Sequence, residues 1–247
     1  MIPDAWDIES REGALATARH LIETGCVRYD PDHLCCHGSG LVSPVHVEGR
    51  RLLSYPAVRN EVIDFAVRMI EQEIGARELD AIAAAEGAGV AWATLIADRL
   101  DLPVIFVRKE PPEGQEYKHR IEGRVERGWR VLLVEQLATD GHRKVRFAAP
   151  LKEAGCDVRD LFVLFQYGIF DEIHEHLAPL GITMHALATW WDVLEMVNQG
   201  HYLDGEAQGE IHAFLHDPKR WTAQHQGAKH QGAKHQGKGK GKGEKVA

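Results

Sequence analysis

The chain has 247 residues, 44% hydrophobic and 27% charged, the composition of an ordinary folded chain with enough interior for a substantial core. Its formal charge of −8 hides a split: Gln224 to Ala247 holds six lysines and one glutamate, a balance of +5, whereas the 223 residues before it hold 23 basic and 36 acidic side chains, a balance of −13. An acidic body repels phosphate and excludes general nucleic-acid binding. No run is apolar enough to span a bilayer, and four cysteines are too few for a disulfide framework, so the expected location is cytoplasmic.

The opening MIPDAWDIESREG lacks the apolar stretch of a secretory signal. Leu15, Ala18, Leu21 and Ile22 then recur at helical spacing, predicting a helix over 12–24. His37 to Pro44 reads as a loop leading into Val45–Val47. Pro56 opens a long helix through Glu73, with Val58, Val62, Phe65, Ala66, Met69 and Ile70 on one face.

From Asp80 the rhythm changes. Apolar runs at 81–85, 104–107, 131–134, 158–165 and 183–187 alternate with helical stretches at 92–100, 143–154, 170–180 and 190–197. Short runs that are apolar throughout suit strands buried on both faces, and their alternation with helices predicts an α/β fold with a mostly parallel sheet. The connection Lys109 to Arg120, with PPEGQEYKH at its heart, has the length of a lid or binding loop; a solvated excursion is the equal alternative. A last helix is expected over 206–215, ending before Pro218. Beyond it HQGAK repeats without any apolar face, so the folded body is placed at 1–222, with a disordered basic tail over 223–247 that suits an acidic partner.

The stretch RVLLVEQLATDGHR, Arg130 to Arg143, carries the chemistry. A strand, a polar turn and a helix in succession leave backbone N–H groups at the helix start, where phosphate binds well. Gly141 permits close approach to an anion, Thr139 adds a hydroxyl, and Glu135 and Gln136 bring acceptors suited to ribose hydroxyls. On spacing alone such turns are as often unoccupied. His33, Cys35, Cys36 and His37 cluster within five residues. Adjacent cysteines lack the two-residue spacer of zinc sites, which favours buried thiols and a loop histidine over a structural metal.

RVLLVEQLATDG resembles the phosphoribosyl-pyrophosphate (PRPP) motif of type I phosphoribosyltransferases, and within them the chain is similar to the orotate phosphoribosyltransferases. SG-x-x-SP at Ser39–Pro44, RRLLSYP at Arg50–Pro56, VRKE at Val107–Glu110, IEG at Ile121–Gly123 and HALATWWDVLE at His185–Glu195 match in order across about 12–217. The resemblance implies a type I phosphoribosyltransferase fold: a mostly parallel sheet flanked by helices, with a small hood from the N-terminal segment. It also implies transfer of phosphoribosyl from PRPP to orotate, Mg²⁺ carried with PRPP, and a homodimer whose lid reaches the neighbouring site.

By the same resemblance Glu135, Gln136 and Lys109 are the catalytic group. PRPP falls to Arg108, Lys109, Glu135, Gln136, Leu137, Ala138, Thr139, Asp140, Gly141 and His142, and the base to Ser39, Gly40, Ser43, Pro44, His46 and Thr139; the protein itself supplies no metal cage. A second loop, EGAGV at Glu86–Val90, suits close backbone approach to the ligand. The departures are definite. Gln136 replaces the second acid of the motif, Pro112 and Gly114 stand where a lid lysine and histidine are expected, with Lys118 and His119 further on, and Gly38 stands where a lysine precedes SG. They leave a second reading open, a PRPP- or nucleotide-binding relative with a regulatory role.

Overall fold

A computed structural model describes residues 8–36, 40–111, 120–139, 141–170, 172–200, 202–203 and 205–225. Helix α1 (Ile8–Glu23) is followed by four short strands: β1 (Val27–Tyr29), β2 (Cys35–Cys36), β3 (Val42–Ser43) and β4 (Val45–Val47). A 3-10 turn at Gly49–Ser54 leads into α2 (Pro56–Met69), β5 (Ala81–Ala85), α3 (Gly89–Leu100), β6 (Val104–Val107), β7 (Ile121–Glu122) and β8 (Val131–Ala138). The chain continues through α4 (His142–Glu153), β9 (Asp160–Gln166), α5 (Glu172–Leu177), β10 (Thr183–Thr189), α6 (Trp190–Gly200), α7 (Gly205–His216) and α8 (Pro218–His225). The described residues fall into two compact units, one of residues 8–26 and 47–202, the other of residues 27–46 and 203–225.

The first unit is built on one six-stranded sheet in the order β10-β9-β8-β5-β6-β7. All neighbours are parallel except β7, which returns antiparallel to β6 through Phe106↔Glu122 and Val107↔Ile121. Each residue of β5, AIAAA, is fully buried, and small side chains there let helices lie close on both faces. Ala81, Ala83, Ala85, Leu133, Leu161 and Val163 face Phe147, Ala148 and Leu151 of α4 and Ile173 and Leu177 of α5. Helix α3 packs on the strands β5, β8 and β6 and meets α2, while α1 packs on α6 and β10. Arg11 of α1 fastens this last packing, 2.5 Å from Asp192 and paired with Glu195 on α6. Asp192 in turn accepts the Thr189 N–H and hydroxyl, each at 2.7 Å, and so supplies the acid's half of a capping box at the start of α6.

The long helix expected through Glu73 ends as α-helix at Met69 and closes in one wide π turn, Ile70–Ile74, stopped by left-handed Gly75. β8 runs four residues beyond the expected 131–134, because its ladder with β9 continues through Leu137↔Phe165 and Ala138↔Gln166. Polar Glu135 and Gln136, expected at the strand's end, therefore lie within it.

The second unit holds the short strands with α7 and α8. This unit combines residues 27–46 of the N-terminal segment, from which a small hood was expected, with the C-terminal helices, whereas α1 belongs to the first unit. Buried Val42 exchanges two bonds with the Thr222 hydroxyl, its N–H donating and its carbonyl accepting, each at 3.2 Å. Trp221 packs edge-on to Phe214 and donates to Glu210 at 3.0 Å. Helix α8 begins where the sequence suggested a stop. Pro218 occupies its first turn, where no N–H is needed, and the Asp217 carboxylate accepts the Arg220 N–H at 2.9 Å. The folded chain therefore runs three residues past 222, to His225, and the tail beyond lies outside the described residues.

Candidate active site

The sheet reverses its direction of growth at its centre. From β5 the chain passes through α3 to β6 on one side, and then returns to β8 on the other side of β5 and proceeds outward to β9 and β10. The loops leaving β5 and β8 therefore part, and open α/β sheets bind ligands in the crevice outside the carboxyl ends at such a point. Glu86–Gly87–Ala88 and Thr139–Gly141, the two loops selected in the sequence, are the loops that flank it.

Two glycines make the crevice possible. A Cβ on Gly89, the first residue of α3, would stand 2.9 Å from the Val134 carbonyl oxygen and 3.2 Å from Glu135 Cα, so α3 starts directly against the end of β8. Gly141 has φ +79° and caps α4; a Cβ there would meet Ile173 at 2.7 Å. Both contacts demand glycine, one by space and one by space and conformation.

Glu135 and Gln136, neighbours on β8, point to opposite faces of the sheet, as strand geometry requires. Glu135 reaches the α4 side and forms an ion pair with Lys144, itself only 6% exposed; the same ammonium donates to the Leu137 carbonyl at 2.7 Å. Gln136 lies on the other face against Gly49, whose Cβ position is 2.7 Å from Nε2. The amide is 7% exposed, and its Oε1 is a buried acceptor with no partner among the described residues.

Lys109 extends over the first loop. Its N–H donates to the Glu86 carboxylate at 2.6 Å, and its Nζ lies 3.9 Å from the Cβ position of Gly87. Arg108 pairs with Glu122 on β7, and Glu110 pairs with Arg146 on α4. Buried Arg120 closes the base of the intervening loop: Nε donates to the Arg108 carbonyl at 2.9 Å, Nη2 donates to the Arg146 carbonyl at 2.6 Å, and its own carbonyl accepts the Arg108 N–H at 2.8 Å. The lid positions Pro112, Gly114, Lys118 and His119 lie outside the described residues.

The first unit thus gathers Glu86, Gly87, Gly89, Arg108, Lys109, Glu135, Gln136 and Gly141 around one end of the sheet, with Leu137 and Ala138 in β8 and half-buried Thr139 just past it. Asp140 and the His142 side chain lie outside the described residues, as does Ser39. Of the base-side residues, buried Ser43 spends its hydroxyl locally, donating to the Val45 carbonyl at 2.7 Å and accepting the Val45 N–H at 3.1 Å. Pro44 is buried with its carbonyl accepting the Asp30 N–H at 2.8 Å; Gly40 and His46 are exposed. Cys35 approaches His46 Nδ1 at 3.6 Å, and burial followed by the neighbouring Cys36 pushes its thiol up.

Lys144 and Arg120 were not singled out from the sequence. Lys144 had a signal: a lysine in the first turn of a helix opposes the helix dipole and needs a local anion to hold it. For buried Arg120, at the edge of a polar loop, no pattern pointed inward.

No protein-family model matches the chain. It is 38% identical over 221 residues to an orotate phosphoribosyltransferase of Roseobacter denitrificans, covering 90% of this chain and 97% of that one. An orotate phosphoribosyltransferase of Cereibacter sphaeroides is 39% identical over 221 residues, covering 90% and 94%. Among solved structures, the orotate phosphoribosyltransferase of Aeropyrum pernix superposes with TM-score 0.63 at 26% identity, over 74% of this chain and 99% of that one. The UMP synthase of Leishmania donovani superposes with TM-score 0.69 at 25% identity, over 82% of this chain and 42% of that one.

Proposed function

Given that the chain belongs to the orotate phosphoribosyltransferase family, we propose a division of labour among its own residues for the reaction that membership carries. That reaction joins orotate to the ribose of PRPP, giving orotidine 5′-monophosphate and pyrophosphate in pyrimidine synthesis. The bond from ribose C1 to the pyrophosphate oxygen breaks with its electrons leaving on pyrophosphate. A bond from orotate nitrogen to C1 forms, and the nitrogen's proton is released. Positive charge develops on the ribose and negative charge on the leaving group, so the site must answer both.

The observation that carries this assignment is the pair of diverging loops at the β5–β8 switch point, one overlain by Lys109 from the end of β6 and the other following β8, the strand of Glu135. Glu135 supplies the negative charge that steadies the cationic ribose, and Lys144 keeps that carboxylate in place. Gln136 offers its unpartnered Oε1 to a ligand hydroxyl but brings no charge. Lys109 gathers the leaving pyrophosphate above Gly87, and the 5′-phosphate rests on Thr139–Gly141 at the start of α4. For the base end the reading rests on the SG-x-x-SP resemblance alone.

Mg²⁺ fits this donor set. An ion that keeps its waters and binds mainly through substrate phosphates needs only one or two protein oxygens, and the Glu135 carboxylate would provide one. When bound, it neutralises charge on the pyrophosphate.

Purified full-length chain with PRPP, Mg²⁺ and orotate is expected to consume orotate and release pyrophosphate. Calorimetric binding of PRPP without turnover is the result that would replace this reading with the regulatory one. The family resemblance also supports a cytoplasmic homodimer whose lid, 109–120, serves the neighbouring subunit. Sedimentation equilibrium should then give twice the 27.6 kDa chain mass, and a monomer at micromolar concentration would refute it.

A further inference from the structure

One face of α7 carries two histidines that phosphoribosyl transfer does not use. His212 and His216 are spaced i, i+4 and therefore share a face of the helix one turn apart. Both side chains are exposed. Their Nε2 atoms stand 3.1 Å apart, with ring centroids 4.2 Å apart and planes inclined by 45°. Two imidazolium rings this close repel each other, and two neutral rings can share a single proton between the facing nitrogens at best. A metal ion would use both lone pairs at once.

The separation fits that use. Imidazole nitrogens sit about 2.0–2.1 Å from zinc, so two of them bound to one ion stand about 2.9 Å apart at a right angle and about 3.3 Å apart at the tetrahedral angle. The 3.1 Å observed lies between these limits. We propose that His212 and His216 form a chelating site for one divalent transition ion of the class that prefers imidazole, zinc, nickel or copper rather than magnesium or calcium. Among the described residues no group of three His, Cys, Asp or Glu side chains gathers to hold an ion. With two protein ligands and water in the remaining positions, the proposed site binds reversibly rather than as a closed structural centre. Its two ligands bracket the last turn of α7, so the ion pins that turn just before Asp217 caps α8.

The test uses the full chain titrated calorimetrically with ZnCl₂. His212→Ala and His216→Ala are each expected to weaken zinc binding roughly tenfold or more. His216→Cys, which keeps a ligand at that position, retains binding and separates ligand loss from any damage to the helix. Because the tail also carries His230 and His235, a His230→Ala/His235→Ala variant is the necessary companion, and it is expected to keep the α7 site within about twofold. The proposal is overturned if zinc does not bind, if His212→Ala and His216→Ala bind like the parent chain, or if binding vanishes in the tail variant.

Discussion

Replacing Lys144 with methionine is expected to destabilise the chain by about 3 kcal/mol in urea denaturation, and to lower kcat/KM for PRPP in the fraction that remains folded. The estimate follows from what is left behind. Glu135 retains only 15% side-chain exposure and Lys144 only 8%, so deleting the ammonium strands a carboxylate in the interior. Breaking such a pair from one side costs about 3–5 kcal/mol, and the residual exposure of Glu135 places this case at the lower end. Removing both charges has a different result. Lys144→Met/Glu135→Leu leaves no uncompensated group, and replacing a whole buried pair by apolar side chains is often neutral or better. The double variant should therefore recover most of the stability while recovering none of the activity, because the carboxylate is gone. A Lys144→Met chain with unchanged urea midpoint and unchanged turnover would show that the pair does not matter. Recovery of activity in the double variant would show that Glu135 is not the group Lys144 serves.

Gly89→Ala should cost about 2–3 kcal/mol and lower kcat/KM by more than tenfold, although alanine is the better helix former. The added methyl meets the Val134 carbonyl oxygen at 2.9 Å and Glu135 Cα at 3.2 Å, both of them backbone of the central strand, which cannot swing aside. Overpacking of this sort costs about 1–3 kcal/mol. Here it also moves Glu135, and displacement of a reacting group by about 1 Å can lower rate about a hundredfold. Gly209→Ala is the internal control. Gly209 lies within α7 with no atom of the described residues within 4 Å of its Cβ position, so alanine there should stabilise the chain by up to about 1 kcal/mol. Equal effects at the two glycines, read from thermal midpoints, would show that Gly89 matters only through helix propensity.

Much of the first unit was legible because its strands hold few polar residues. The run at 81–85 coincides with fully buried β5, and the run at 104–107 with β6, buried on one face and half-buried on the other, and neither holds a polar residue to blur its ends. β8 was read short because Glu135 and Gln136 interrupt its apolar run, and what keeps them in the strand is pairing with β9, a contact between distant parts of the chain. The same limit applies to the second unit. Val42 and Thr222 are 180 residues apart, and nothing local to either announces the bonds between them. Helix α8 was missed for a different reason: Pro218 was taken as a terminator, although Asp-Pro is equally a cap followed by a first helical residue. For the proposed site, Glu135 and Gly141 were read from RVLLVEQLATDG and Lys109 from VRKE, since backbone geometry and charge type are written in the residues themselves. That Glu135 is held by Lys144, and that Gln136 turns away from it against Gly49, depended on which face of the strand each side chain occupies in the folded sheet.

In the proposed site the charge required on the ribose side comes from Glu135 alone, with Gln136 contributing only an acceptor. Steady-state kcat/KM for PRPP at saturating orotate, measured for Glu135→Gln and Gln136→Ala side by side, tests it most directly. Loss of the carboxylate should lower the value about a hundredfold or more, as removal of an electrostatic group from a reacting centre does. Loss of one neutral hydrogen bond should lower it by about tenfold or less. A Glu135→Gln enzyme close to the parent, or a Gln136→Ala enzyme more impaired than Glu135→Gln, would contradict the account.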